Sequence, residues 1–246
     1  MSETHTFYTE QFTIRANEVD TSGNTTLKAI CDFFQEVAGN NAKELHFDIT
    51  DLQEQDLTWV LHRMDIQIKR FPKWRETITI ETWPAAGDAL RAYRNYRILD
   101  EDGVELGCCL SYWMMINMTT RRPVRMPKEV LETRLAKRNH VLEVKSNRIS
   151  PISEFHKTKE FSVRRSDLDM NMHVNNAMYI DWMQECLSLE ESKNVSRFDI
   201  IYMRESLEGD IISASVEQAE SGIKKLQLIN QDEKTIALAE VNFGAD

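Results

Sequence analysis

Asp169, Asn171 and His173 stand two residues apart in "SDLDMNMHVNNAMYIDWM", which runs from Ser166 to Met183, with Met170 and Met172 in the gaps. In an extended segment alternate residues point to the same side. The spacing therefore predicts a carboxylate, an amide and an imidazole facing one way and the methionines facing the other. An imidazole changes charge near neutral pH, and a carboxylate can give or take a proton. Proton transfer and hydrogen bonding are the chemistry open to such a set. There is also a purely structural explanation. Asp and Asn just ahead of a helix usually accept backbone N–H groups as caps, and a single His there is often only a satisfied polar group.

A duplicated sequence separates the two explanations. "FTIRANEVDTSGNTTLKAICDFFQE", from Phe12, aligns with "FSVRRSDLDMNMHVNNAMYIDWMQE", from Phe161, at an offset of 149. Phe12 meets Phe161, Arg15 meets Arg164, and Phe33 meets Trp182. "RMDIQIKRF", from Arg63, aligns with "RFDIIYMRE", from Arg197, at an offset of 134. Two matches in the same order predict a repeated unit. Asp169 is matched by Asp20, Asn171 by Ser22, His173 by Asn24 and Glu205 by Phe71. Residues that merely served the fold would appear in both copies. The set appears in the second copy only, which predicts a single site there; the two aspartates can share a capping role.

The elements that must carry the set read alike in both copies. A short strand (Phe12–Arg15; Phe161–Arg164) leads through a polar turn into a helix. Leu27, Ile30, Cys31, Phe34, Val37 and Ala38 follow helical spacing, as do Ala177, Ile180, Met183, Cys186 and Leu187. Strand-like runs come next: Trp59–Ile68, Thr77–Trp83, Arg91–Leu99 and Glu105–Met118, then Phe198–Met203, Asp210–Glu217, Lys224–Ile229 and Thr235–Phe243. An apolar helix followed by an antiparallel meander predicts an α+β fold in which a sheet curls around a helix, twice. The expected division is 1–118 (degenerate copy), 119–157 (connector) and 158–246 (copy with the polar set).

Composition narrows the class. The 246 residues are 41% hydrophobic and 28% charged, as in ordinary globular proteins. The start "MSETHTFYTE" has no signal-peptide pattern, and the densest apolar run, "CCLSYWMMINM", is too short to span a bilayer. Four cysteines show neither metal spacing nor a disulfide framework. The expectation is a reduced, cytoplasmic protein with no metal, no cofactor and no membrane association. A net charge of −10 argues against a nucleic-acid partner. Between Arg121 and Arg148, however, nine Lys/Arg face three acids, a local +6. Such an island fits either a solvated linker or a dock for an anionic partner.

The motif resembles the signature of the acyl-acyl carrier protein (ACP) thioesterases, the plant-type fatty acyl-ACP hydrolases and their bacterial relatives. "FTIRANEVD", "LTWVLHRMDIQIKRFPKW", "SYWMMINMTTRRPVRMPKEV" and "FDIIYMRES" resemble that family in the same order. The resemblance implies a tandem (double) hotdog fold and hydrolysis of fatty acyl-ACP in fatty acid biosynthesis. It places catalytic roles on Asp169, Asn171, His173 and Glu205. Plant members commonly have Cys directly after that Glu; here the residue is Ser206, which puts a Cys–His covalent route in doubt. Cys186 reads as core packing. For thioester hydrolysis, backbone N–H groups around His173–Asn175 could stabilise an oxyanion. Glu205 and His173 would activate water, with Glu205 as base or nucleophile, and Asp169 would hold the geometry. Trp59, Trp113 and Met114 are candidates for an acyl-binding wall, though core packing alone accounts for them. Arg121, Arg122 and Arg125 are candidates for docking the acidic ACP. A homodimer is left open. The alternatives are an acyl-CoA thioesterase, a hotdog dehydratase and a non-catalytic acyl-binding module.

Overall fold

A computed structural model describes residues 6–85, 87–128, 130, 138–219 and 222–244. The chain divides into two compact units, Met1–Val144 and Lys145–Asp246. The division falls inside the expected connector. Glu129, Glu132, Arg134 and Lys137 of the basic island lie outside the described residues.

In the first unit five antiparallel strands lie in the order β1 (Tyr8–Thr13), β3 (Thr77–Ala85), β4 (Arg91–Leu99), β5 (Glu105–Asn117) and β2 (Leu57–Ile68). Helix α1 (Leu27–Glu44) starts where the Thr26 side chain accepts the Ala29 N–H. Among its buried residues, Leu27, Ile30, Phe34, Val37 and Asn41 recur every three or four positions and so form one stripe. That stripe lies on the sheet: Phe34 sits 4.6 Å from the Tyr96 ring, and Phe33 4.7 Å from Phe12. The opposite face of the sheet carries Tyr93 and Tyr112, edge to face at 5.1 Å. Residues of the expected connector cover it. His140 packs on Tyr93, Leu142 joins the cluster, and the Asn95 side chain accepts the Val141 N–H. A short helix, α2 (Ile49–Gln53), buries Leu52. At five residues it is too short to show as periodicity.

The second unit repeats the plan with β7 (Val195–Tyr202), β10 (Thr235–Phe243), β9 (Lys224–Asn230), β8 (Ile211–Gln218) and β6 (Lys159–Ser162) as neighbours in that order. Its central helix α3 is shorter, Asn176–Gln184. Ser188 then caps a separate helix, α4 (Leu189–Lys193), in a capping box with Glu191. Cys186 and Leu187 thus lie beyond the helix on which their spacing had placed them. Phe161 stacks on Trp182 at 5.7 Å, the counterpart of Phe12 on Phe33. Each unit is a hotdog, a sheet laid around a helix.

The duplication extends to single hydrogen bonds. Arg15 N–H donates to Glu18 at 2.7 Å, and Arg164 N–H to Asp167 at 2.8 Å. Each acid also pairs with its arginine's guanidinium. Burial opposes ionisation of Asp167, but these bonds to Arg164 outweigh it and hold the carboxyl below its ordinary range.

Candidate active site

The stretch carrying Asp169, Asn171 and His173 is a tight loop rather than an extended segment. Leu168 and Val174 pair across its base, Asp169 N–H donates to the His173 carbonyl at 2.7 Å, and Met172 N–H donates to the Asp169 carbonyl at 3.1 Å. The loop closes because Met172 adopts φ +64°, in the left-handed region. The first copy builds the same loop, with Val19 paired to Thr25 and Gly23 at φ +80° in the position of Met172. Glycine suits that conformation and a long side chain does not. Met172→Gly is therefore expected to raise stability by about 1 kcal/mol, read as a higher thermal midpoint; a lowered midpoint would show that the Met172 side chain outweighs the backbone strain.

Both aspartates do the same work. Asp169 Oδ1 accepts the N–H groups of Asn171 (2.8 Å) and His173 (3.2 Å); Asp20 Oδ1 accepts those of Ser22 (2.8 Å) and Asn24 (3.1 Å). Each carboxylate thus fixes its loop from inside. In the second copy the fixed loop presents His173.

Glu205 approaches from another segment. β7 ends at Tyr202, and Glu205 and Ser206 lie in the segment that follows it. Val174 N–H donates to the Ser206 carbonyl at 3.0 Å and ties this segment to the loop. In the first copy Thr25 N–H makes the same bond to Pro72 at 2.7 Å. The tie brings Glu205 Oε2 to 3.5 Å from His173 Nε2, with the two side chains 40% and 30% exposed. Ser206 is fully buried. Its hydroxyl makes no well-formed hydrogen bond among the described residues, although the Tyr179 phenol lies close enough to feel it. Burial pushes that phenol up to about 12. Of the neighbours 205 and 206, only the carboxylate faces His173.

One expected feature is absent. The N–H groups of His173, Val174 and Asn175 are all used within the fold, by Asp169 Oδ1, the Ser206 carbonyl and the Asp167 carbonyl. They cannot turn to an oxyanion without breaking the loop. At the start of α3, Asn175 Oδ1 caps Ala177 N–H, and Asn176 N–H has no partner among the described residues. Asn171 is exposed, and its amide reaches Asp169 Oδ2 at 3.5 Å. Cys186 is half-buried and burial pushes its thiol up to about 11. It is almost wholly protonated at neutral pH and poorly suited to attack. No cluster of metal-binding side chains occurs among the described residues.

An exposed apolar set flanks the pair in sequence, and motif reasoning passed over it. Met170, Met172, Met203 and Leu207 are 79%, 65%, 53% and 52% exposed. Their counterparts at the two repeat offsets are Thr21, Gly23, Lys69 and Lys73. Extending the comparison beyond the polar positions would have found it.

The remaining candidates are spread over the first unit. Trp59 and Trp113 share one face, packed on the cluster of Leu52, Ala92 and Met115. Met114, next to Trp113 on β5, points to the opposite face, so these three do not form one wall. Arg121, Arg122 and Arg125 are exposed. Elsewhere the island has internal uses: Arg138 lies over Phe7 at 3.9 Å, and Lys145 pairs with buried Asp199.

Residues 5–133 match the family model for the acyl-ACP thioesterase N-terminal domain, and residues 151–245 match that for the C-terminal domain. The chain belongs to the acyl-ACP thioesterase family. A relative in this acyl-ACP thioesterase family, oleoyl-acyl carrier protein thioesterase 2 of Arabidopsis thaliana, is 30% identical over 227 residues. The match covers 84% of this chain and 62% of that one. Dodecanoyl-[acyl-carrier-protein] hydrolase of Cinnamomum camphora is 30% identical over 210 residues, 79% of this chain and 55% of its own. The chain thus spans about three fifths of the length of these curated relatives. The crystal structure of an acyl-ACP thioesterase from Bacteroides thetaiotaomicron superposes with a TM-score of 0.91 at 27% identity, covering 99% of this chain and 100% of that one.

Proposed function

We propose that the protein hydrolyses fatty acyl-ACP to free fatty acid and ACP in the cytoplasm, using one site on the second unit. The observation that carries this reading is the His173–Glu205 pair at 3.5 Å, present in one copy of a duplicated loop. That separation is just beyond a direct hydrogen bond, and such contacts tighten when substrate binds. Glu205 or His173 takes a proton from water, and the oxygen bonds to the thioester carbonyl carbon. The C–S bond then breaks, and the proton passes to the departing thiolate. Asn176 N–H, at the positive end of α3, is the free donor for the oxyanion. Asp169 holds His173 in place, and exposed Asn171 is free to touch substrate. A direct attack by Glu205, giving an anhydride that water then opens, uses the same residues. The exposed side chains of Met170, Met172 and Met203 contact the arm that carries the thioester.

Fatty acyl-ACPs of several chain lengths, the matching acyl-CoAs and a β-hydroxyacyl-ACP, assayed side by side, test the proposal. Release of fatty acid and free thiol, fastest from acyl-ACP, is the expected result. Preference for acyl-CoA would move the assignment to the sister activity, and dehydration of the hydroxyacyl substrate would overturn hydrolysis.

The carrier contact has its own test. Arg121→Glu, Arg122→Glu and Arg125→Glu together are expected to raise KM for acyl-ACP and weaken its salt dependence, with little change on a small acyl thioester. Unchanged ACP kinetics would reduce the island to a linker.

A further inference from the structure

Glu205 stands on a segment with no regular secondary structure, so something must hold it against His173. Both copies tether this segment at two points. Upstream, the N–H groups of Met203 and Arg204 donate to the Ile236 carbonyl at 2.8 and 3.2 Å. Those of Lys69 and Arg70 donate to the Leu106 carbonyl at the same two distances. Downstream, the loop reaches across, from Val174 to Ser206 and from Thr25 to Pro72. Ties made in both copies serve the fold.

The second copy adds a third tie. Tyr179 on α3, only 2% exposed, donates its hydroxyl to the Arg204 carbonyl at 3.3 Å. The N–H and hydroxyl of Ser206 lie beside the same phenol oxygen. One oxygen therefore spans the two residues that flank Glu205. At the offset of 149 its counterpart is Ile30, fully buried and without a hydrogen-bonding group. The counterpart of Ser206 is Pro72, whose ring fixes φ and which has no N–H to satisfy. The first copy is complete with isoleucine and proline at these places. A buried hydroxyl gives up its water, and its new bonds do little more than offset that loss. Stability alone does not account for a tyrosine here.

We propose that Tyr179 is a positioning residue, whose hydroxyl pins the backbone on both sides of Glu205 and so holds the carboxylate at His173. It acts through Glu205 and takes no proton itself. Tyr202 braces the same frame. Its ring meets Tyr179 edge to face at 5.7 Å, and its hydroxyl donates to the Asn176 carbonyl at 3.2 Å. Its counterpart, at the offset of 134, is Ile68. The kinetic consequence rests on the hydrolase reading proposed above; the tie itself does not.

Tyr179→Phe tests the inference on the full chain, because it removes the hydroxyl and keeps the ring that packs on Trp182 and Tyr202. Hydrogen exchange reads the tie. Amides of residues 203–208 are expected to exchange about threefold faster or more, while those of β10 keep wild-type rates. Steady-state kinetics read the consequence. The expected kcat on acyl-ACP is about tenfold lower, with KM within about twofold of wild type. In a Glu205→Gln background the same substitution should change kcat by less than about twofold, since no carboxylate is left to position. Equal losses in both backgrounds would make Tyr179 a merely structural residue and overturn the proposal. So would unaltered exchange at 203–208, or an unaltered kcat. If Tyr179→Phe fails to fold, Tyr179→Ile, which installs the first copy's residue, decides by the same readings. A wild type that turns over no acyl-ACP would remove the hydrolase reading, and hydrogen exchange would still decide the tie.

Discussion

Glu205→Gln is expected to lower turnover of acyl-ACP, the proposed substrate, by about 10²-fold or more, a barrier increase of roughly 2.7 kcal/mol. The substitution keeps the shape of the side chain and removes its charge. Gln can still accept a hydrogen bond from His173, but it cannot take a proton from water or attack the carbonyl. Ser206→Ala, one residue away, keeps turnover within about tenfold, or roughly 1.4 kcal/mol. Ser206 is fully buried and its hydroxyl lacks a well-formed hydrogen bond, so its loss could even stabilise the fold by about 1 kcal/mol. Steady-state rates and thermal midpoints of the two variants check both claims. An inactive Ser206→Ala beside a nearly normal Glu205→Gln would exchange the roles of these residues.

The second large effect comes from the paired aspartates. Asp20 and Asp169 each accept two backbone N–H groups from the loop that follows. Replacing either with Ala leaves two loop amides without their acceptor and costs a similar amount of stability, about 1–3 kcal/mol. Only in the second copy does the loop carry an imidazole. Asp169→Ala therefore loses turnover by about 10²-fold, because small displacements of a reacting group are costly. Asp20→Ala keeps most of it. Equal losses of turnover at equal thermal stability would refute a single site.

Much of this was legible in the residues. The repeat announced the two hotdog units, because ring pairs such as Phe12 with Phe33 and Phe161 with Trp182 are set by the pattern of apolar residues. It also isolated the copy with His173 and Glu205, since the comparison cancels whatever the fold alone requires. The loop itself was not legible. Its turn depends on one left-handed residue; Gly23 signals it in the first copy, but Met172 hides it in the second. Alternation of Asp169, Asn171 and His173 therefore looked like a strand. The fate of the His173–Asn175 amides was hidden as well, because their acceptors include backbone groups from Asp167 and Ser206 that no side-chain pattern reveals.

The most direct test of one site on the second unit is to write the first copy's residues into it. Asn171→Ser, His173→Asn and Glu205→Phe together remove the proposed catalytic groups. They keep the Asp169 carboxylate and the backbone bonds that shape the loop. Acyl-ACP hydrolysis by this triple variant should fall to the uncatalysed rate while its thermal midpoint stays near that of the wild type. Turnover persisting above a tenth of the wild-type rate in a folded triple variant would contradict the account.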